Sequence, residues 1–338
     1  MQQTPSTPRS PLPLAARRHP LVPHVRRMLK TRCAWDERAP LVLGVSGGAD
    51  SLSLLVACAA IAPAKLTVAH VHHHLREQAD ADAEHVRAVC TRLGLPLVIE
   101  HVHPSRDEGN LAANARKLRY DALLRVAARA NAPFVAVAHH ADDQLETMLM
   151  ALCRGAGLDG LSAMSWNRPL SPQVALIRPL LHMRRTDCED LCSTAGLTWC
   201  EDAGNVDRAY ARTRLRMDVL PVLECLWPGA TQRAAAAADT VAAANSLVES
   251  KLQEVFGFPG ERAWQRDALR ALPVPLIAAG LRRAAIDALG RPSDDLGQRQ
   301  LLPAAEGIAD AQRRPREFGL GPSLVVRVTA REVVMQPR

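Results

Sequence analysis

The sequence predicts an α/β protein: a doubly wound parallel sheet followed by a smaller, mainly helical C-terminal domain. Three observations lead there. From Pro40 to Arg154 short apolar runs alternate with longer stretches of helical period, as βαβ units require. The polar residues of chemical interest fall where those runs end, which is where ligands sit in open parallel sheets. Beyond Pro228-Gly229 the pattern becomes Ala-rich and helical.

Taken in order, residues 1 to about 20 are rich in Pro, Ser and Arg without periodicity, so 1–22 is expected to be a disordered extension. Pro23 to Cys33 reads as a basic helix. Strands are expected at Leu41 to Val45, Leu66 to Val71, Leu97 to Val102 and Phe134 to Ala138. The intervening helices are Ser51 to Ala60, Ala79 to Leu93, Asn110 to Ala130 and Asp142 to Arg154. Val174 to Ile177 begins another strand, and a helix from about Arg184 to Ala195 ends where Gly196 can close it. These elements define a catalytic domain over 23–225. A helical connector, 226–256, contains the Ala-rich stretch Ala230 to Phe256, and 257–338 forms a small C-terminal domain with a hairpin near Leu324 to Met335. There are no internal repeats.

With 338 residues, 48% of them hydrophobic, the chain can bury two or three cores. A net charge of +7 points to a polyanionic partner or to a solvated basic surface. Arg supplies 38 of the 42 basic residues; its planar fork suits phosphate, although GC-rich coding gives the same bias. Only 11 aromatic residues argue against a base-stacking sheet, so nucleic acid would be held by charge and shape. The eight cysteines contain no C-x-x-C pair, and Cys188 and Cys192 lack a second pair to complete a metal site, so reduced core thiols are expected. No apolar run approaches a membrane span and no signal pattern opens the chain, so a cytoplasmic location is expected.

Ser46-Gly47-Gly48-Ala49-Asp50-Ser51 lies between the first strand and helix. Gly47 and Gly48 admit backbone conformations closed to other residues and let a phosphate approach without meeting a Cβ. Ser46 and Ser51 add hydroxyls, and the new helix offers unpaired N–H groups to an anion. No Gly-Lys-Ser/Thr closes the loop, so it is not a Walker A loop. Asp50 beside an anion makes sense as a helix cap or as a Mg²⁺ ligand. An ordinary capped turn shares Ser-Gly-Gly; the full Ser-Gly-Gly-x-Asp-Ser in this context resembles the pyrophosphatase loop of N-type ATP pyrophosphatases.

In His139-His140-Ala141-Asp142-Asp143-Gln144-Leu145-Glu146-Thr147 a strand end passes into a helix. Asp143 and Glu146, three apart, are expected on one exposed face. Acidic residues in a first turn can simply complement the dipole. Beside a phosphate loop, they must hold Mg²⁺ or meet a cationic substrate, since otherwise they would repel the nucleotide. His70, His72 and His74 alternate on one face of the second strand end. That pattern suits a transition metal, a ligand-lining role or solvated histidines.

Together with His70-Val71-His72-His73-His74-Leu75-Arg76, Ala115-Arg116-Lys117-Leu118-Arg119-Tyr120, Arg154-Gly155-Ala156-Gly157, Ile177-Arg178-Pro179-Leu180-Leu181, Trp199-Cys200-Glu201-Asp202 and Arg212-Thr213-Arg214-Leu215-Arg216, these motifs resemble the tRNA(Ile)-lysidine synthetase family over roughly residues 40 to 221. Departures are modest: His74 stands where glycine is usual, Ala112-Ala113 where an acidic residue is common, Gly204 where serine is common and Thr213 where asparagine is usual. The C-terminal part matches loosely.

The resemblance implies a PP-loop ATPase fold of the adenine nucleotide alpha hydrolase kind. It also implies a ligase that adenylates the C2 carbonyl oxygen of the wobble cytidine in CAU-anticodon tRNA(Ile), after which free L-lysine displaces AMP. ATP is then the co-substrate, bound by Ser46, Gly47, Gly48, Ala49, Asp50, Ser51 and His70, with Mg²⁺ on Asp50. Lysine falls to Asp143 and Glu146, and the tRNA to Arg119, Arg178, Arg212, Arg214 and Arg216. Arg116 and Arg119 are candidates for phosphate or cytosine contact, and Asp50, Arg116, His139, Asp143 and Glu146 make up the catalytic set. A carboxylate or His139 could deprotonate lysine. The small C-terminal domain would bind or orient the tRNA, and a homodimer is one expectation where the sequence leaves oligomeric state open. Thiolating relatives generally use paired cysteines, amidating ligases an additional glutaminase domain, and a non-catalytic RNA binder has no need of Asp50, Asp143 and Glu146.

Overall fold

The computed structural model describes residues 11–74, 78–105, 111–200, 208, 210–290, 296–312 and 314–338. The chain divides into two units, one ending at Ala242 and one beginning at Ala243.

In the first unit β1 (Leu41–Gly44), β2 (Leu66–His72), β3 (Leu97–His101), β4 (Phe134–Ala136), β5 (Asn167–Pro169) and β6 (Ala175–Ile177) form one sheet in the order β3-β2-β1-β4-β6-β5. All neighbours are parallel except β5 and β6. The helices are α1 (Leu14–Arg18), α2 (Leu21–Thr31), α3 (Ala49–Ile61), α4 (Ala79–Leu93), α5 (Leu111–Arg129), α6 (Ala141–Cys153), α7 (Leu158–Leu161), α8 (Arg185–Thr194), α9 (Ala211–Arg214) and α10 (Leu220–Leu226). A short π-helix, Leu215–Val219, joins the last two, and α11 (Ala230–Phe256) follows.

The pleat of β1 explains both layers. Leu41, Leu43 and Val45 share a core with α2, α3, α4 and α8, whereas Val42 turns to the opposite face and packs with Leu123 and Val126 of α5. A strand covered on both faces reads as the uninterrupted apolar run seen in the sequence. The strand order reverses between β1 and β4, so their carboxyl ends border one crevice.

The structure changes the expected picture at two places. Residues 14–18 are helical, and Leu12, Ala16, Leu21 and Val22 are buried; the proline-rich composition hid an apolar face whose prolines stand at helix starts. Residues 1–10 of that expected extension lie outside the described residues. The short strand β5 had no apolar signal, because an edge strand tolerates Pro and polar residues. The second unit is the smaller, mainly helical one expected, with strands beside its helices: β7 (Ala263–Gln265), α12 (Arg266–Arg270), α13 (Val274–Leu289), α14 (Gln298–Ala309), β8 (Arg316–Leu320), β9 (Leu324–Val328) and β10 (Glu332–Pro337). Its four strands pair antiparallel in the order β7-β10-β9-β8, so the expected hairpin is two strands of a larger sheet.

Cys33, Cys58, Cys90, Cys188 and Cys192 are buried free thiols, and burial pushes Cys33 up to about 12. No described helix is long and apolar enough to cross a membrane.

Candidate active site

The crevice between the ends of β1 and β4 holds a cavity of about 410 Å³. Its floor is the loop from Ser46 to Ser51. Gly47 has φ +100, a conformation that L side chains rarely adopt, and its carbonyl accepts from the Cys200 N–H at 3.0 Å. Gly48, by contrast, is extended at φ −75, which corrects the expectation that both glycines are conformationally required. A Cβ at Gly48 would meet nothing closer than 3.8 Å, so its glycine leaves open space on the ligand side.

Ser51 organises the loop. Its hydroxyl accepts from the N–H groups of Ser46 (3.1 Å) and Gly47 (3.3 Å) and donates to the Gly48 carbonyl (2.9 Å). Its one proton is therefore committed, and the expected pair of hydroxyl donors narrows to Ser46. The first turn of α3 leaves the N–H groups of Ala49 and Asp50 without intrahelical acceptors. His70 Nδ1 lies 2.9 Å from the Val45 carbonyl, to which it donates, and burial lowers its pKa.

Asp50 is not a cap: Gly48 occupies the N-cap and no side chain bonds there. Its Oδ1 is buried with no hydrogen-bond partner, and its Oδ2 lies 3.5 Å from His140 Nε2. A bare buried carboxylate oxygen facing a phosphate loop is a fitting ligand for a hard cation.

The opposite wall is the start of α6. Asp143 and Glu146 are 8% and 0% exposed, which corrects the exposed face expected for them. The helix N-terminus turns into the crevice and other groups neutralise the pair. Asp143 accepts from the His140 N–H at 3.0 Å and from Arg212 and Arg216 at 3.2 and 3.1 Å. Glu146 accepts from Arg212 Nε at 2.6 Å and Arg216 Nε at 2.7 Å. Burial alone would raise Asp143; His140, His139 and the two arginines outweigh it and hold the carboxyl well below the usual range.

The two histidines before α6 move apart. Burial lowers His139 to about 3, with Arg178 and Arg119 adding to the effect against Asp143. Its Nδ1 accepts from Arg178 Nε at 3.2 Å; a guanidinium only donates, so the ring proton sits on Nε2. For His140 burial acts downward too, but Asp143, Asp50 and Asp142 raise it to about 9.

The cavity gathers Ser46, Gly48, Ala49, Asp50, Ser51, His70, Arg119, His139, Asp143 and Arg216; Gly47 and Glu146 lie behind its lining. Arg119 Nε is buried without a partner, and its guanidinium shares the Tyr120 ring with those of Arg116 and Arg168 at 5.2 to 5.5 Å. Three RNA-side expectations change. Arg178 is 2% exposed and donates to His139 and the Ser165 carbonyl; Arg212 and Arg216 are engaged by carboxylates. Arg116 and Arg214 remain exposed. Sequence reasoning passed over His140, although it adjoins His139. It also missed Arg185, which reaches the cavity from the start of α8 and had no local signal. Glu201, Asp202 and Leu75-Arg76 lie outside the described residues.

An ATP-binding family model described as a PP-loop domain matches residues 21–223. A tRNA(Ile)-lysidine synthase of Burkholderia pseudomallei is 40% identical over 245 residues, covering 71% of this chain and 50% of that protein. The tRNA(Ile)-lysidine synthase of Synechococcus sp. is 33% identical over 306 residues, covering 87% of this chain and 93% of its own. The chain thus spans about half the length of the Burkholderia relative and nearly all of the Synechococcus one. Among solved structures, the U34-tRNA thiolase NcsA of Methanococcus maripaludis aligns with a TM-score of 0.56 at 18% identity, over 65% of this chain and 77% of that one, a likeness of fold.

Proposed function

Because the chain belongs to the tRNA(Ile)-lysidine synthase family of PP-loop proteins, we propose that it uses ATP to join free lysine to C2 of the wobble cytidine of CAU-anticodon tRNA(Ile). The observation that carries this reading is one cavity with an anion-binding loop on one side and, on the other, Asp143 with Glu146 buried behind it. Few substrates need both; a nucleoside triphosphate and a diamine do.

In the first step the C2 carbonyl oxygen attacks the α-phosphorus and pyrophosphate leaves. Ser46 Oγ and the N–H groups at the start of α3 cradle the departing anion, and Arg119, which lines the same cavity, adds positive charge. Asp50 is the group that would hold Mg²⁺, which spreads phosphate charge when bound. His139, neutral with its proton on Nε2, serves as a donor to the substrate.

In the second step the ε-amine of lysine attacks C2 and AMP departs with its oxygen, a good leaving group replacing a poor one. Asp143 and Glu146 receive the ammonium groups, exchanging a guanidinium of Arg212 or Arg216 for the substrate. The attacking amine must shed a proton it ordinarily keeps to about pH 10.4. His139 offers no free lone pair for it, because its Nε2 carries the ring proton and its Nδ1 accepts from Arg178, so that proton goes to a carboxylate. Exposed Arg116 and Arg214 are assigned to tRNA phosphates, and the C-terminal unit to orienting the tRNA.

The test is incorporation of labelled lysine into an unmodified CAU-anticodon tRNA(Ile) transcript with ATP and Mg²⁺, scoring AMP beside it. A methionine tRNA with the same anticodon is the control. Lysine fixed in the first and not the second is the expected result; AMP formation with no lysine incorporated would overturn the reading.

A further inference from the structure

We propose that His72, His74 and His101 form a site for a borderline divalent transition-metal ion of the zinc class, separate from the hard-cation position at Asp50. The argument begins with register. β2 and β3 are parallel and His72 pairs with His101 at their ends; His74 and His103 follow just beyond, and their rings come to within 4.0 to 5.1 Å of their neighbours'. Four imidazoles are thereby gathered at one end of two neighbouring strands.

One ligating nitrogen from each of His72, His74 and His101 lies within 4.8 Å of the others. His74 Nε2 and His101 Nδ1 are 2.8 Å apart, and the His103 ring stacks on His74 at 4.4 Å. In tetrahedral coordination with bonds of about 2.0–2.1 Å, two nitrogens stand roughly 3.3 Å apart. A small rotation of exposed His74 and His101 reaches that spacing. Their ring protons then sit on the far nitrogens.

The buried member is preset for the task. His72 Nε2 lies 3.0 Å from Asp80 Oδ1 at the start of α4, which fixes the proton there. His72 Nδ1 is left as a bare lone pair, buried and with no hydrogen-bond partner. A carboxylate holding one ring nitrogen while the other faces an ion is how metal-bound histidines are oriented. His74 also sits at φ +53, a left-handed conformation costly to a residue with a Cβ. A ligand bond would repay that strain. Three imidazoles without thiolate or paired carboxylates select Zn²⁺, Co²⁺ or Ni²⁺ over Mg²⁺.

The purified full-length chain, stripped with a chelator, is dialysed against Zn²⁺ in excess Mg²⁺ and separately titrated with Co²⁺ while the visible spectrum is recorded. Uptake of about one Zn²⁺ per chain is expected, with a Co²⁺ spectrum lacking thiolate charge transfer. His74→Gly, which removes the strain and preserves folding, and His101→Gln should each weaken uptake at least about tenfold. Asp80→Asn, a positioning change, should weaken it about 10- to 100-fold. No uptake by the wild-type chain, undiminished uptake by the His74→Gly/His101→Gln double variant, or a thiolate-type Co²⁺ spectrum would each overturn the proposal.

Discussion

Arg216 Nε meets Glu146 Oε1 at 2.7 Å, inside a protein where Glu146 has no exposed surface at all. Arg212, four residues earlier, grips the other oxygen at 2.6 Å. The two guanidinium groups make the acidic pair tolerable in the absence of substrate, and any ammonium ligand must compete with them. Glu146→Gln keeps the volume and removes the charge. A charge-assisted hydrogen bond is worth about 1.5–3 kcal/mol, so KM for lysine should rise roughly 10- to 100-fold. Adenylation measured by pyrophosphate release should change little. A comparable loss in both half-reactions would refute the division of labour between the two walls.

Ser46 and Ser51 both belong to the phosphate loop, yet they should fail differently. Ser51→Ala strips the acceptor from two backbone N–H groups and the donor from the Gly48 carbonyl, so it should destabilise the protein by about 1–3 kcal/mol and raise KM for ATP. Ser46→Ala leaves those bonds intact. It should raise KM for ATP with a change in stability below about 0.5 kcal/mol. Urea denaturation beside ATP kinetics separates the two cases, and equal stability losses would contradict the assignment.

The α/β layering and the position of the site at the ends of β1 and β4 were legible because they depend on local pattern: apolar runs of strand length, helical period, and a polar loop with glycines. Burial of Glu146 was not legible, since what neutralises it comes from Arg212 and Arg216, some seventy residues away. The same holds for Arg178, whose partners His139 and Ser165 meet only in the fold. The helix α1 was missed for a different reason. Its face is only Leu12, Ala16 and their neighbours, too short a run to register against a proline-rich background.

His139 and His140 predict a stability maximum. The folded pKa of His140 is about 9 against an ordinary 6.5, so folding favours its protonated form. That contribution, on the order of 3 kcal/mol, is fully present below pH 6.5 and is lost as pH rises through about 9. His139 is shifted the other way, to about 3, so the unfolded chain binds its proton more readily and stability falls as pH drops below 6.5. Thermal unfolding followed across pH should therefore show His140→Gln flattening the alkaline limb and His139→Gln the acidic one. A variant that altered the opposite limb would show the environments to be misassigned.

In the C-terminal unit a single buried side chain joins helix to sheet. Arg266, 2% exposed, donates from Nε to the Ile308 carbonyl and from Nη1 to those of Gln312 and Thr329. Its Nη2 reaches the carbonyls of Gly307 and Asp310 and the Asp310 carboxylate. These acceptors belong to the end of α14 and the residues just after it and to the loop between β9 and β10; the Gly307 carbonyl accepts from Arg316 as well, at 2.7 Å. Lys cannot replace the fork, because one ammonium cannot reach acceptors spread around a planar group. Arg266→Lys and Arg266→Ala should each destabilise the unit by on the order of 3 kcal/mol. Since the chain has two units, the loss should appear in urea as an early transition that exposes Trp264, 5% exposed in the folded unit, while the unfolding of the first unit is unchanged. If the alanine variant unfolds in a single transition at the wild-type midpoint, Arg266 does not hold the unit together.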